Sequence, residues 1–194
     1  KADALINATL TAARRGGDLL NRIADMTGLR DLHPLPTRLQ TFLTEFETLA
    51  STTLPEGVTL RLESRFLPSN LILMLDSGSL QDSLLNLVLN ARDACNGDGE
   101  ISLLVDVVQD TWIEFTVIDT GPGFSEHALS HVFDPFFTTK GDNGSGLGLA
   151  MVYDVAKLSG GRVQARNGAT GAEVCLRLPL RLAPAPVAPG LALL

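Results

Sequence analysis

Three polar side chains at helical spacing interrupt an apolar segment near the middle of the chain. Asn86, Asn90 and Asp93 lie at positions i, i+4 and i+7, which on an α-helix places them within about 60° of one another. A buried amide without a partner costs about 1–3 kcal/mol. These groups therefore face either solvent, as the polar stripe of an amphipathic helix, or a hard cation or a phosphate chain. The segment alone leaves both interpretations open.

Two glycine-rich segments could hold the other parts of a nucleotide. Asp119 ends a predicted strand and precedes Thr-Gly-Pro-Gly-Phe. Its carboxylate could accept a hydrogen bond from an exocyclic amine, while Gly121 and Gly123 let the backbone approach a flat ligand; alone, such a segment is also a common turn. Residues 144–149, Gly-Ser-Gly-Leu-Gly-Leu, open a predicted helix whose free N–H groups favour an anion. This pattern is neither a P-loop nor the dinucleotide-binding glycine motif.

The segment Phe133–Lys140, with the sequence Phe-Asp-Pro-Phe-Phe-Thr-Thr-Lys, delivers a lysine beside the second glycine-rich segment. Lys140 is conspicuous because the chain has only two other lysines, Lys1 and Lys157. We interpret the three phenylalanines as a hydrophobic plug under a surface loop. The segment therefore brings a single cation to the place where an anion is expected.

The remaining sequence predicts an α/β body that positions these segments. Asp76 and Ser77 offer an N-cap for the helix that carries Asn86, and Gln109-Asp110 marks a tight turn. The predicted helices cover residues 36–51, 80–94, 126–131 and 147–158, and the predicted strands 58–63, 71–75, 101–108, 112–118, 162–166 and 173–178. Because helices and strands are grouped rather than strictly alternating, we expect an α/β sandwich with a mixed, largely antiparallel sheet.

The two ends of the chain differ from this body. Leu5, Ala12, Leu19 and Met26 are spaced by seven, which predicts a helix with a narrow apolar seam over residues 1–31. A hinge containing Pro34 and Pro36 follows, and the residues from 182 onwards have the proline-alanine composition of a linker. We expect domain boundaries that divide the chain into residues 1–32, 33–181 and 182–194.

Composition excludes several classes of protein. The 194 residues are 45% hydrophobic and 19% charged, with a net charge of −7, which is typical of a globular chain rather than a disordered one. An acidic pI near 4.9 argues against a nucleic-acid surface. Cys95 and Cys175 lack metal-ligand spacing and are interpreted as small apolar residues. Apolar runs are too short to cross a bilayer, and no secretory signal opens the sequence. We therefore expect this stretch to be cytoplasmic and to make no membrane contact itself, whether the parent protein is soluble or membrane-anchored.

The order and spacing of these segments resemble the ATP-binding domain shared by sensor histidine kinases, DNA gyrase, mismatch-repair ATPases and heat-shock chaperones. The stretch containing Asn86, Asn90 and Asp93 resembles the kinase N box, Asp119–Phe124 the G1 box, Phe133–Lys140 the F box and Gly144–Leu149 the G2 box. The resemblance covers roughly residues 36–180. It implies a Bergerat-type two-layer sandwich that holds ATP and Mg²⁺, preceded by a long helix of a dimerisation hairpin.

The resemblance also implies roles for individual residues. Asn90 matches the Mg²⁺-ligating asparagine, and Asp119 matches the adenine-reading aspartate. Asn86 takes the place where hydrolytic relatives carry a glutamate general base, which favours phosphoryl transfer over hydrolysis. We expect Lys140 to meet the γ-phosphate and to be catalytic together with Asn86. The remaining ATP-binding residues would be Asp93, Gly121, Gly123, Thr139, Gly144, Ser145, Gly146, Leu147 and Gly148.

Two positions depart from the family pattern. Asp93 stands where many members carry lysine, which we interpret as a changed phosphate contact. Ala172 lacks the hydroxyl that would support the adenine-reading aspartate, unless the neighbouring Thr170 substitutes for it. The first departure concerns a contact to the phosphates, and the second concerns the support of the adenine-reading aspartate.

The resemblance implies partners as well. Kinases of this family phosphorylate a histidine in a His-Glu/Asp signature on the first helix of the hairpin, and His33, His127 and His131 lie outside any such signature. We therefore expect the sequence to be a piece of a longer kinase whose acceptor histidine precedes it, with residues 3–28 forming a homodimer. A response-regulator receiver domain is the expected second partner, and residues 190–194 suggest that one follows. The alternatives are a non-catalytic nucleotide-binding module and an ATPase switch.

Overall fold

Residues 31–65, 67–68, 70–141 and 144–184 are described by the computed structural model. The predicted helical seam and dimer contact at residues 3–28 lie outside the described residues, and so does the tail from residue 185. The two predicted domain boundaries stay predictions.

Seven strands and four helices follow one another in the described residues. The strands are β1 (Leu35–Arg38), β2 (Val58–Arg65), β3 (Ile72–Leu75), β4 (Gly99–Val108), β5 (Trp112–Asp119), β6 (Arg162–Asn167) and β7 (Ala172–Pro179). The helices are α1 (Leu39–Ser51), α2 (Ser77–Cys95), α3 (Glu126–His131) and α4 (Gly148–Leu158). The main sheet has the order β2-β4-β5-β7-β6, and β1 pairs with β3 in a separate antiparallel sheet.

One face of the main sheet packs against the helices. The central strands β5 and β7 alternate between buried and partly exposed residues along their whole length, which is the pattern of a sheet covered on one side. Helix α2 contacts β4 and β5, and α4 contacts β6, β7 and α2. Only β2 and β4 are parallel, and the other neighbours are antiparallel. The predicted two-layer α/β sandwich with a mixed, mostly antiparallel sheet is therefore confirmed.

Burial alternation brings Asp119 to the helix side of the sheet. Ile113, Phe115 and Val117 are buried on β5, and Asp119 is the next residue in the same row, with 5% of its surface exposed. Because side chains alternate between the two faces of a strand, Asp119 points toward α2 at the end of the strand. The core thereby positions a carboxylate at the edge of the helix layer.

The helix α2 begins at Ser77, directly after the predicted capping residue Asp76 and three residues before the predicted bound at residue 80. The Asp76 side chain accepts a hydrogen bond from the Ser79 N–H at 2.9 Å and a second from the His33 N–H at 2.9 Å, so it satisfies the first turn and holds the preceding hinge. Asn96 ends the helix in the left-handed conformation, with φ of 51°. Gln109 and Asp110 form the predicted tight turn, both with positive φ.

The predicted start of the first helix was wrong by three residues. Residues 36–38 belong to β1, whose Leu35 pairs with Leu75 and whose Arg38 pairs with Ile72. Pro36 favours an extended conformation in the residue before it and cannot donate to a ladder, and an edge strand accommodates both restrictions. The hinge of the sequence prediction is therefore partly a strand, and the helix starts at Leu39.

Candidate functional site

A cavity of about 420 Å³ lies between α2, the end of β5, the segment 133–140 and the start of α4. Most of the predicted ATP-binding residues line it. These are Asn86, Asn90, Asp93, Asp119, Gly123, Thr139, Lys140, Gly144, Ser145, Gly146 and Gly148. Gly121 and Leu147 do not line it: Gly121 packs against Ala94, which does line the cavity, and Leu147 is fully buried.

The two asparagines of α2 face the first turn of α4. A Cβ added to Gly148 would lie 3.5 Å from Asn86 Oδ1 and 3.6 Å from Asn90 Nδ2, so the two helices approach within ordinary contact distance here. Gly148 is the first residue of α4, and the free N–H groups at a helix start carry partial positive charge. This end of the cavity therefore combines amide oxygens with a positive helix end, which suits a phosphate chain.

Lys140 crosses this end of the cavity and bonds to α2. Its Nζ donates to Asp93 Oδ2 at 2.7 Å and to Asn90 Oδ1 at 3.0 Å. Arg92 donates from two nitrogens to the other carboxylate oxygen, Asp93 Oδ1, at 2.7 and 2.9 Å. Two cations thus share one carboxylate, and one of them also contacts Asn90.

The charge state of Asp93 follows from these partners. Partial burial opposes ionisation of the carboxyl group, but the hydrogen bonds and charges of Lys140 and Arg92 outweigh burial and lower the pKa of Asp93. A lowered pKa keeps the carboxylate ionised near neutral pH. Asp93 is therefore a fixed negative charge beside the two asparagines.

The carboxylate of Asp119 is held through one oxygen. Its Oδ1 accepts hydrogen bonds from the Gly121 N–H at 2.9 Å and from the Ala172 N–H at 3.0 Å. Thr170 donates to the backbone carbonyl of Asp119 at 3.2 Å, so its hydroxyl does not replace the missing family hydroxyl at the carboxylate. No described residue donates to Oδ2, and this oxygen can accept from a ligand in the cavity.

The turn between β6 and β7 supports the loop that follows Asp119. A Cβ at Gly171 would lie 2.5 Å from Asp119 Oδ1 and 2.8 Å from the Gly121 carbonyl oxygen, so only glycine fits there. Asn167 bonds to both backbone groups of Phe124: its Oδ1 accepts from the N–H at 2.7 Å, and its Nδ2 donates to the carbonyl at 2.8 Å. Sequence reasoning missed Asn167 and Gly171. The Asn-Gly pair at 167–168 signals a turn but not its contact with a loop 43 residues away.

We expect Asn167→Ala to reduce the affinity for ADP by about three- to tenfold, because two hydrogen bonds of about 1 kcal/mol each fix the position of Phe124. Titration calorimetry with ADP measures the change. Gln164→Ala is the matched control, since Gln164 is an exposed amide on the same strand that does not line the cavity. An unchanged ADP affinity in Asn167→Ala would mean that the loop holds its position without the side chain.

The glycine-rich loop packs directly on the segment that carries Lys140. Gly146 has a φ of +65°, and a Cβ there would lie 2.6 Å from Phe136 Cα. The Phe136 N–H donates to the Gly146 carbonyl at 2.9 Å, and Thr138 Oγ1 accepts from the Lys140 N–H at 3.1 Å. The two segments thus form one wall of the cavity, and a side chain at position 146 would separate them.

The two histidines of α3 belong to the same wall. The rings of His127 and His131 each lie within 6 Å of the Phe137 ring, at 5.8 and 5.6 Å between centroids, and His131 Nδ1 pairs with Asp134 Oδ2 at 2.7 Å. Phe137 lines the cavity. These contacts give both histidines a packing role beneath the segment 133–140.

The sequence family described as Histidine kinase-, DNA gyrase B-, and HSP90-like ATPase matches residues 75–182, which is more than half of the chain. The chain belongs to this family. Its matched region contains α2, the Asp119 loop, the Lys140 segment and the glycine-rich loop. ATP is therefore the nucleotide of this domain, and the predicted family membership is confirmed.

Curated proteins that resemble the chain include sensor histidine kinases. The two-component sensor PprA of Pseudomonas aeruginosa is 40% identical over 108 residues, which are 52% of this chain and 12% of PprA. The sensory histidine kinase/phosphatase NtrB of Rhizobium leguminosarum is 32% identical over 161 residues, which are 75% of this chain and 41% of NtrB. The chain thus spans less than half the length of these relatives.

A solved histidine kinase shows the same architecture. The crystal structure of full-length ShkA in complex with AMPPNP matches with a TM-score of 0.75 and 28% identity, covering 93% of this chain and 40% of ShkA. Together with the family match, this likeness makes the domain a histidine-kinase-type ATP-binding catalytic domain. Within the residues that the structure describes, no helix has the length and apolar character needed to span a membrane.

Proposed function

We propose that this domain binds Mg-ATP in the 420 Å³ cavity and transfers the γ-phosphoryl group to a histidine of an acceptor domain in a sensor histidine kinase. The observation that supports this proposal is the joint placement of Asp119, Asn90 and Lys140 around one cavity. Asp119 would read the exocyclic amine of adenine, and Asn90 and Lys140 would meet the phosphate end. The positive start of α4 would face the phosphates between them.

Magnesium suits the oxygen groups at the phosphate end. Mg²⁺ prefers hard oxygen ligands and is commonly held by one or two protein oxygens together with phosphates and water. The Lys140 ammonium already lies between Asn90 Oδ1 and Asp93 Oδ2, so this place favours a cation. Asn90 would hold the metal, and a bound Mg²⁺ would neutralise phosphate charge.

Transfer to a histidine is favoured over hydrolysis because the described residues that line the cavity include no carboxylate that could activate water. Among the residues that line the cavity in the described structure, the carboxylates are Asp93 and Asp119. Asp93 is paired with Lys140 and Arg92, and Asp119 is held by two backbone N–H groups. Asn86 occupies the position where a general base would be needed, and an amide cannot take up a proton.

Catalysis in such a site rests on positioning and on charge stabilisation. The glycine-rich loop and the start of α4 orient the phosphates, and Lys140 offsets the negative charge on the terminal phosphoryl group. An incoming imidazole nitrogen then attacks phosphorus as the bond to the bridging oxygen of ADP breaks. Asn86 lies beside the same helix start and would orient the terminal phosphates.

The decisive test is phosphoryl transfer from γ-labelled ATP in a polypeptide that carries both this domain and the acceptor histidine of the same kinase. We expect acid-labile label on that histidine, dependent on magnesium. ATP binding without label would favour a non-catalytic nucleotide-binding module. Steady release of phosphate that depends on Asn86 would favour an ATPase switch.

We expect Lys140→Ala to slow phosphoryl transfer about tenfold or more and to change the ADP affinity by at most about threefold. The two effects differ because the ammonium would act on the terminal phosphoryl group, which ADP lacks. Single-turnover labelling and ADP titration measure the two effects separately. Lys157→Ala is the matched control, since Lys157 lies on α4 and does not line the cavity. A parallel loss of ADP affinity would place the lysine on the α- or β-phosphate instead.

We also propose the partners that such a kinase needs. The relative PprA is a two-component sensor by name, and this supports a response-regulator receiver domain as the protein that takes the phosphoryl group from the histidine. The proposal also includes a homodimer through residues 3–28 and a receiver domain after residue 190. It further includes domain boundaries near residues 32 and 181 and a cytoplasmic location.

A further inference from the structure

The Lys140 ammonium bridges two residues on neighbouring turns of α2. It lies 2.7 Å from Asp93 Oδ2 and 3.0 Å from Asn90 Oδ1, and these contacts connect positions 47 and 50 residues apart in the sequence. The Lys140 and Asp93 side chains are 36% and 34% exposed. The pair is therefore only partly shielded from solvent and can exchange partners at modest cost in free energy.

Asn90 Oδ1 cannot serve the ammonium and a metal ion together. Mg²⁺ holds its oxygen ligands at about 2.0–2.1 Å, and an ammonium 3.0 Å from the same oxygen would face a doubly charged neighbour at close range. Any nucleotide that brings magnesium to Asn90 therefore removes one of the two contacts of Lys140. The contact of Lys140 with Asp93 uses a different oxygen, so the metal at Asn90 does not displace it.

Asp93 itself is fixed from the opposite side. Arg92 holds Oδ1 with two hydrogen bonds, and its remaining nitrogen Nη1 donates to the Thr53 carbonyl at 3.3 Å. The carboxylate thus keeps its position whether or not Lys140 bonds to Oδ2. Arg92 also keeps a positive charge beside this carboxylate when Lys140 leaves it.

We propose that Asp93 is a specificity-determining residue that competes with the terminal phosphoryl group of a nucleoside triphosphate for Lys140. A triphosphate offers the ammonium a partner that a diphosphate lacks, so only the triphosphate draws Lys140 away from Asp93. Asp93 therefore lowers the preference for ATP over ADP, and it recaptures Lys140 once the γ-phosphoryl group has left. This inference rests on the proposed function, because it assumes that the phosphates lie at this end of the cavity.

The first test is a double-mutant cycle of Asp93→Asn and Lys140→Met. Calorimetry measures the dissociation constants of Mg-ADP and of a magnesium complex of a non-hydrolysable ATP analogue. We expect Asp93→Asn to strengthen analogue binding about three- to fivefold more than ADP binding. In the Lys140→Met background the same substitution should leave the ratio of the two constants unchanged. Glu45→Gln removes an equal charge from an exposed position on α1 and controls for net charge.

Two outcomes of the cycle overturn the inference. Equal strengthening of analogue and ADP binding by Asp93→Asn would indicate a general charge effect. A changed ratio that persists in the Lys140→Met background would mean that Asp93 acts without Lys140. If the unmodified chain binds neither nucleotide, the proposed function fails, whereas nucleotide binding without coupling between the two residues refutes only the exchange of partners.

The second test observes the lysine directly and does not depend on activity. The chain has only three lysines, Lys1, Lys140 and Lys157, so nitrogen-15 NMR of the side-chain ammonium groups gives a simple spectrum. We expect the Lys140 signal to respond to Asp93→Asn in the nucleotide-free protein and with Mg-ADP, but not with the magnesium complex of the analogue. A Lys140 signal that is insensitive to Asp93→Asn without nucleotide would overturn the inference.

Discussion

Replacing Asp119 with asparagine should weaken ADP binding about ten- to hundredfold. The Gly121 and Ala172 N–H groups both donate to Oδ1, so the amide oxygen of an asparagine must take that position. Its NH₂ group then takes the position of Oδ2 and meets the exocyclic amine of adenine as donor against donor. The loss of a hydrogen bond to a charged group, about 1.5–3 kcal/mol, corresponds to this change in the dissociation constant.

The same geometry predicts a change in base preference. Hypoxanthine carries a carbonyl oxygen where adenine carries the amine, so Asp119→Asn should raise the affinity for IDP relative to ADP. Calorimetry with both nucleotides measures the ratio. Asp98→Asn makes the same chemical change at an exposed position outside the cavity and should alter neither constant. Weaker binding of both nucleotides with an unchanged preference for ADP over IDP would show that Asp119 does not contact the base.

The sequence predicted most elements of the fold because their signals are local. Asp76 marks the start of α2 through its side-chain hydrogen bond, and α3 has the predicted bounds. The alternating residues of β5 place Asp119 on the buried face. The starts of two helices were exceptions: α2 begins three residues before its predicted bound, and α1 begins three residues after its predicted bound. The start of α1 depends on the pairing of Leu35 with Leu75, on a strand 40 residues further along the chain. The local sequence around residues 35–38 does not indicate a partner strand so far along the chain.

The candidate site divides in the same way. The order of the motifs indicated which residues meet in the cavity, because this order and spacing resemble those of the ATP-binding boxes of the family. The contacts that fix their positions were not predictable: Asn167 supports Phe124, and Asp93 pairs with Lys140. Each contact joins segments more than 40 residues apart through one exposed side chain, and no local signal in the sequence indicates such a pairing. The sequence indicated which residues bind the nucleotide, whereas the structure was needed to show which contacts hold those residues in place.

Asn90→Ala should remove the magnesium dependence of nucleotide binding. We expect the affinity for ADP in the presence of Mg²⁺ to fall at least about tenfold, to the value measured with a chelator. The reason is that even residues that only support a metal's ligands change metal affinity ten- to hundredfold when they are replaced. The truncation also removes one acceptor of Lys140, but the Asp93 contact at 2.7 Å remains. Lys140 therefore stays on α2, and the loss reports on the metal rather than on a displaced lysine.

Two further variants separate the metal from the fold. Asn90→Asp keeps an oxygen at the same place and should retain the magnesium dependence that the alanine variant loses. Gln81→Ala shortens an amide on the same helix outside the cavity and should leave the titration unchanged. The oxygen of Asn90 already contacts a cation, the Lys140 ammonium, which is why we assign the metal to this amide. Full magnesium dependence in Asn90→Ala would contradict that assignment. It would mean that other oxygens hold the metal and that Asn90 contacts only Lys140.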